Sequence, residues 1–123
     1  DRALIRKLAQ QSGGEFLHII DDPDEATVGA DAVYVKSWGS VRLYGKPEEE
    51  AEQRAGLRDW RLTAGRVKST RGGKGIVMHC LPVRRNVEID DEVLDGPNSV
   101  VVDQAENRLH AQRALLLELI GNR

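Results

Sequence analysis

The stretch Ile76-Val77-Met78-His79-Cys80-Leu81-Pro82 decides the fold: a short, continuously apolar run breaks into a histidine, a thiol and a Leu-Pro bond. Apolar runs without alternation are expected of strands buried on both faces, as in parallel sheets. Upstream, Ala32-Val33-Tyr34-Val35 has the same form and breaks into Lys36-Ser37-Trp38-Gly39-Ser40. Phe16 to Ile20 and Val100-Val101-Val102 read as two further strands.

Helical segments lie between them. Ala3, Leu4, Ile5, Leu8 and Ala9 recur at helical spacing, and Ser12-Gly13-Gly14 stops that helix. Asp22-Pro23-Asp24-Glu25 supplies an N-cap, a first-position proline and first-turn acids for a brief helix ending near Gly29. Further helices are expected over Pro47 to Ala55, around Thr63 to Lys68, over Asp90 to Leu94 before Gly96-Pro97, and from about Gln104 to Ile120. Strict alternation of strand and helix implies an α/β domain: a three-layer, Rossmann-like arrangement with a mainly parallel sheet covered by helices on both faces.

The 123 residues suit one domain, since a compact domain takes roughly 100–200 residues. With 18 Lys+Arg against 20 Asp+Glu, the net charge of -2 argues against a dedicated nucleic-acid partner. The single cysteine forbids an internal disulfide. No apolar run approaches the roughly 20 residues that span a bilayer, and no secretory leader is visible. The chain is expected to be cytoplasmic, without a membrane partner, and to be a piece of something longer.

In open α/β sheets, ligands bind beyond the carboxyl ends of the strands. Three segments fall there: Lys36 to Ser40, His79 to Asn86, and Asp103-Gln104-Ala105-Glu106-Asn107-Arg108. They combine cations, a thiol and a helix N-terminus, whose unpaired N–H groups favour anions. The pattern points to a small anionic ligand; merely solvated loops are the bland alternative.

His79-Cys80-Leu81-Pro82 matches the His-Cys-Leu-Pro signature of the ornithine and acylornithine carbamoyltransferases. Val83-Arg84-Arg85-Asn86, Lys36 to Ser40 and Glu106-Asn107-Arg108 resemble the N-acetylornithine (or N-succinylornithine) branch. The likeness runs over nearly the whole chain and is to the second, amino-acid-binding domain of that family, so residues 1–123 are expected to lack an N-terminal carbamoyl-phosphate domain. The resemblance implies carbamoyl transfer from carbamoyl phosphate to the side-chain amine of an acylated ornithine, without a cofactor, in a homotrimer. It implies catalytic positions at His79, Cys80 and Leu81, acylornithine contacts from Lys36, Leu81 and Arg84, and carbamoyl-phosphate contacts from Cys80, Leu81 and Arg108. Leu81–Pro82 is expected to be cis, because X-Pro is where cis bonds occur.

The chemistry sets its own demands. The acceptor amine resembles that of lysine, with a pKa near about 10.4, so it must shed a proton before attacking. It must then be held against the carbonyl carbon while the developing oxyanion is stabilised. Cys80 has two other readings, a covalent nucleophile or a small buried apolar residue. No acid–His–Cys relay is visible, which disfavours the nucleophile. Lys36 can pair with the substrate α-carboxylate, where ornithine-specific relatives open this loop with an aspartate suited to a free α-amino group; an ordinary exposed lysine is the alternative. Glu88 departs from those acetylornithine members that carry a carboxylatable lysine two residues after the motif's asparagine.

Other signals are set aside. Lys68-Ser69-Thr70-Arg71 looks like the family's phosphate-binding segment but belongs to the wrong domain, and Gly72-Gly73-Lys74-Gly75 lacks the Ser or Thr of a P-loop. His18, His79 and His110 have no metal-ligand spacing. Arg66 to Lys74 has no interleaved aromatic for stacking on single strands. Glu48-Glu49-Glu50 reads as a solvated helix face. Leu109 and Leu115 through Ile120 read as a buried helix side or part of an interface.

Overall fold

The computed structural model describes residues 2–11 and 17–121. Six helices and two strands follow in the order α1 (Arg2–Gln11), α2 (Pro23–Thr27), β1 (Ala32–Val35), α3 (Pro47–Ala55), α4 (Ala64–Ser69), β2 (Ile76–His79), α5 (Asp91–Leu94) and α6 (Val101–Ile120), with 3₁₀ turns at Val41–Leu43, Arg58–Trp60 and Arg71–Gly73. The class is α/β, with a parallel sheet and helices.

β1 and β2 pair in parallel, Ala32 opposite Ile76 and Val35 opposite His79. That register puts Val33, Val35, Val77 and His79 on one face, because side chains alternate along a strand. Val77 packs there with Leu62, Val67, Ile89 and Val93, and Val33, Val35, Ala64, Val83 and Leu94 close around them. On the opposite face Tyr34 is 51% and Ile76 40% exposed, so the described chain closes one face and leaves the other half open.

The helix starts follow local rules. Asp22 caps α2, its carboxylate accepting the Asp24 N–H at 2.8 Å, and Pro23 fills the first turn. Thr63 does the same for α4. The entry to β2 is fixed by Gly75, where a Cβ would sit 2.6 Å from the Thr70 Cβ and 2.9 Å from the Ala30 carbonyl oxygen. Lys68-Ser69-Thr70-Arg71-Gly72-Gly73 forms the end of α4 and a turn in which Gly72 and Gly73 take φ of 59° and 68°.

Two expected strands are corrected. Residues 17–20 carry no strand, and Phe16, like Ser12-Gly13-Gly14, lies outside the described residues. Val100-Val101-Val102 is not a strand: a single parallel bridge joins Val77 to Ser99, and Val101 already opens α6. Asn98 to Val100 straddle the sheet edge, with Val77 N–H donating to the Asn98 carbonyl at 2.8 Å and Val100 N–H to the Val77 carbonyl at 3.0 Å. Val101 buries its side chain at the helix start instead of extending the ladder. No described helix is long and apolar enough to cross a membrane.

Candidate active site

Because β1 and β2 run parallel with Val35 opposite His79, the loops that leave them emerge at one rim. Lys36 and Cys80 are therefore neighbours across 44 positions of sequence, and the Lys36 ammonium donates to Cys80 Sγ at 3.3 Å. Lys36 is exposed and Cys80 partly so, which leaves both open to a ligand. The Leu81–Pro82 peptide is cis, as expected, and Leu81 takes a φ of 52°.

His79 is 1% exposed, on the core side of the sheet. Its backbone N–H donates to the Gln104 side-chain oxygen at 3.0 Å, and its Nδ1 accepts the Leu81 N–H at 2.9 Å. An accepting Nδ1 places the imidazole proton on Nε2. Nε2 lies 3.5 Å from Glu88 Oε2, close enough to feel its charge but without hydrogen-bond geometry. Burial pushes the His79 pKa down, Glu88 opposes that shift, and the Lys36 charge adds to it. His79 is thus a neutral imidazole at pH 7, holding the motif's backbone.

Glu88 is the hub that sequence reading did not resolve. It is fully buried, and a buried carboxylate is tolerated only when bonded on several sides. Its Oε2 accepts the Arg84 backbone N–H at 2.8 Å. Its Oε1 accepts the Arg84 guanidinium at 3.0 Å and the Ser37 hydroxyl at 3.1 Å. Burial alone would raise its pKa, but the Arg84 N–H, the guanidinium and Ser37 together hold it below the ordinary carboxylate value. Arg84 Nη1 also donates to Ser37 Oγ at 3.0 Å, so Glu88, Arg84 and Ser37 bind the two rim loops to each other. An acid thus does stand beside His79, yet the Nδ1 bond to Leu81 leaves that imidazole engaged away from Cys80, and no described hydrogen bond completes a relay.

Arg85 and Asn86 do structural work. Arg85 forks onto Asp95 at 2.7 and 2.8 Å and reaches Asp91 at 2.8 Å, which raises its pKa. Asn86, with φ of 57°, donates to Asp91 Oδ2 at 2.7 Å and accepts the Asp91 N–H at 3.1 Å, closing the turn into α5. Gln104, also missed from sequence, bridges the His79 N–H to the Tyr34 hydroxyl at 3.0 Å and so pins the first turn of α6 to both strands. Arg108 lies one helical turn beyond Gln104 and therefore on the same helix face; its side chain is exposed and has no ionic or hydrogen-bonding partner among the described residues. Direct contacts join Lys36 to Cys80 and His79 to Leu81, Arg84 reaches them only through Ser37 and Glu88, and no contact is seen between Arg108 and that group among the described residues. No group of three or more potential metal ligands occurs among the described residues.

This rim has relatives. Residues 2–119 match the family model described as aspartate/ornithine carbamoyltransferase, Asp/Orn binding domain. The N-acetylornithine carbamoyltransferase of Xanthomonas campestris pv. campestris is 41% identical over 111 residues, covering 90% of this chain and 32% of that protein. The ornithine carbamoyltransferase of Methanoculleus marisnigri is 45% identical over 113 residues, covering 92% of this chain and 35% of that protein. A crystal structure of an N-acetyl-L-ornithine transcarbamylase mutant, complexed with carbamyl phosphate and N-succinyl-L-norvaline, superposes with a TM-score of 0.79 at 38% identity, covering 98% of this chain and 36% of that one. The chain thus spans about a third of the length of the curated relatives it matches.

Proposed function

The chain belongs to the aspartate/ornithine carbamoyltransferase family, matching its Asp/Orn-binding domain, and on that premise we propose that it forms the amino-acid-binding half of a carbamoyltransferase acting on N-acylated ornithine. In the reaction the δ-amine of the acceptor attacks the carbonyl carbon of carbamoyl phosphate. A C–N bond forms, the C–O bond to phosphate breaks, phosphate leaves, and the amine surrenders a proton. The products are an N-acylcitrulline and phosphate.

The observation that carries this reading is the Lys36 ammonium 3.3 Å from Cys80 Sγ at the shared strand rim. A fixed cation there suits a substrate whose α-amine has been neutralised by acylation and whose remaining α-charge is a carboxylate. Arg84, oriented by Glu88 and Ser37 and 47% exposed along its side chain, offers a second cation for the same substrate. Cys80 and the Leu81 carbonyl position the reacting groups, His79 holds their backbone, and Arg108 binds the phosphate of carbamoyl phosphate. The full enzyme works as a cytoplasmic homotrimer, with its other domain supplying most phosphate contacts.

A second reading, unmodified ornithine as acceptor, draws support from Glu88, which stands where some acetylornithine members carry a lysine. The two separate in one assay. A full-length polypeptide containing this chain is expected to form acetylcitrulline from carbamoyl phosphate and N-acetylornithine, and to turn over free ornithine poorly. Lys36→Asp should lower kcat/KM for acetylornithine by roughly tenfold or more, the worth of one charge-assisted contact. Turnover of free ornithine at an equal or higher rate defeats the acyl assignment. Steady acylcitrulline production by the 123-residue chain alone defeats its assignment as half of a site.

A further inference from the structure

Away from the strand rim, α3, the Arg58–Trp60 turn and the segment following Arg85 border an open cavity of about 440 Å³. Arg54, Arg58 and Arg61 line it, with Asn86 and the apolar side chains of Ala51 and Val87 on its walls. Three guanidiniums converging on one hollow repel each other unless negative charge lies among them.

The chain supplies only part of that charge. Glu50 Oε2 lies 3.0 Å from Arg54 Nη1, but the same carboxylate also accepts the Ser40 N–H at 3.1 Å through its other oxygen. Asp90 Oδ1 lies 2.7 Å from Arg61 Nε. Both nitrogens are buried against these carboxylates, so the two ion pairs use them up. The Arg58 side chain has no ionic or hydrogen-bonding partner among the described residues, and the neighbouring Asp59 does not line the cavity. Two guanidiniums that each carry one carboxylate, and a third without a side-chain partner, thus line a hollow large enough for a small molecule, with one positive charge left over.

We propose that this cavity binds the oxyanion of a small molecule, a phosphate or a carboxylate on a short aliphatic body. The planar fork of a guanidinium matches both oxyanions through paired N–H···O bonds, and an anion would offset the positive charge that Glu50 and Asp90 leave uncompensated. Ala51 and Val87 give the aliphatic part an apolar wall. Arg61 couples the cavity to the Cys80 loop, because its Nη1 donates to the Asn86 carbonyl at 3.1 Å, at the end of the His79–Asn86 segment. The site does not depend on the carbamoyl-transfer reading.

The test titrates the 123-residue chain with inorganic phosphate and, separately, with succinate, by calorimetry at constant ionic strength against a chloride control. Saturable binding of at least one anion, with affinity falling about tenfold in Arg58→Ala and unchanged in Arg113→Ala, is the expected result; tenfold is the loss of one charge-assisted contact. Phosphate alone saturating assigns a phosphoryl ligand, and succinate alone a carboxylate. The proposal is overturned if neither anion differs from chloride, or if Arg113→Ala removes binding while Arg58→Ala leaves it intact. The Arg58 side chain is exposed and makes no ion pair or hydrogen bond among the described residues, so its removal does not threaten the fold.

Discussion

Around Glu88, polar groups from Ser37 to Arg84 end on partners within the same chain, and Leu62, Val77 and Ile89 pack closely beneath them. Along α6 beyond its first turn the reverse holds: Leu109, Leu115, Leu116, Leu117, Leu119 and Ile120 are 55–69% exposed. Both regions are rich in groups that dislike being left alone, buried charge in one and apolar surface in the other. The difference shows where the information for each is held. The rim is specified by this chain's own contacts. Most of the apolar surface of α6 is met by nothing among the described residues, although a helix apolar around most of its circumference ordinarily lies buried. The sequence allowed those leucines a buried helix side or an interface; the first alternative does not hold within the described chain.

Substitutions break or sharpen this contrast. Ile89→Ala, at a fully buried core position, should cost about 3 kcal/mol, read as a lower urea midpoint with unchanged slope. Glu88→Ala should cost about 2 kcal/mol, because it strips a buried acceptor from the Arg84 N–H, its guanidinium and Ser37. The pair also leaves a pH signature. His79 is held below its ordinary 6.5, so the stability carried by its neutral form is complete above about pH 6.5 and drains as pH falls through the lower folded value. Glu88, held below 4.5, acts in the same sense, its share present above about pH 4.5 and lost further into acid. Unfolding free energy against pH should therefore rise from acid and level near neutrality. His79→Gln should flatten the upper part of the rise and Glu88→Ala the lower; unchanged curves would disprove the electrostatic account of the rim. Smallest of all, Leu117→Ala should change the stability of this chain by no more than about 0.5 kcal/mol. A loss rivalling that of Ile89→Ala would mean that α6 is covered after all.

Much of the fold was legible because its signals are local. Asp22-Pro23 announces α2, Pro47 opens α3, and β1 and β2 fall on the two apolar runs that anchored the argument. Strand-end placement and the family resemblance put Lys36, Cys80 and Arg108 at one rim; the structure gives the Lys36–Cys80 contact and none from Arg108. The misreadings also have local causes. An apolar run such as Val100-Val101-Val102 serves a strand or a buried helix start equally well, and periodicity over three residues cannot separate them. Glu88 and Gln104 escaped because their meaning lies in contacts across 51 and 25 positions, which depend on register rather than on neighbouring letters. Glu88 stood out only as a departure from a family habit, and Gln104 as one polar residue in a strand-end segment.

The opposition of Val35 and His79 has a wider consequence. A slip of one residue between β1 and β2 would carry Lys36 about 3.3 Å along the strand axis relative to Cys80 and send one strand's inward side chains outward. What must survive in this molecule is an alignment, more than any particular span of connecting chain.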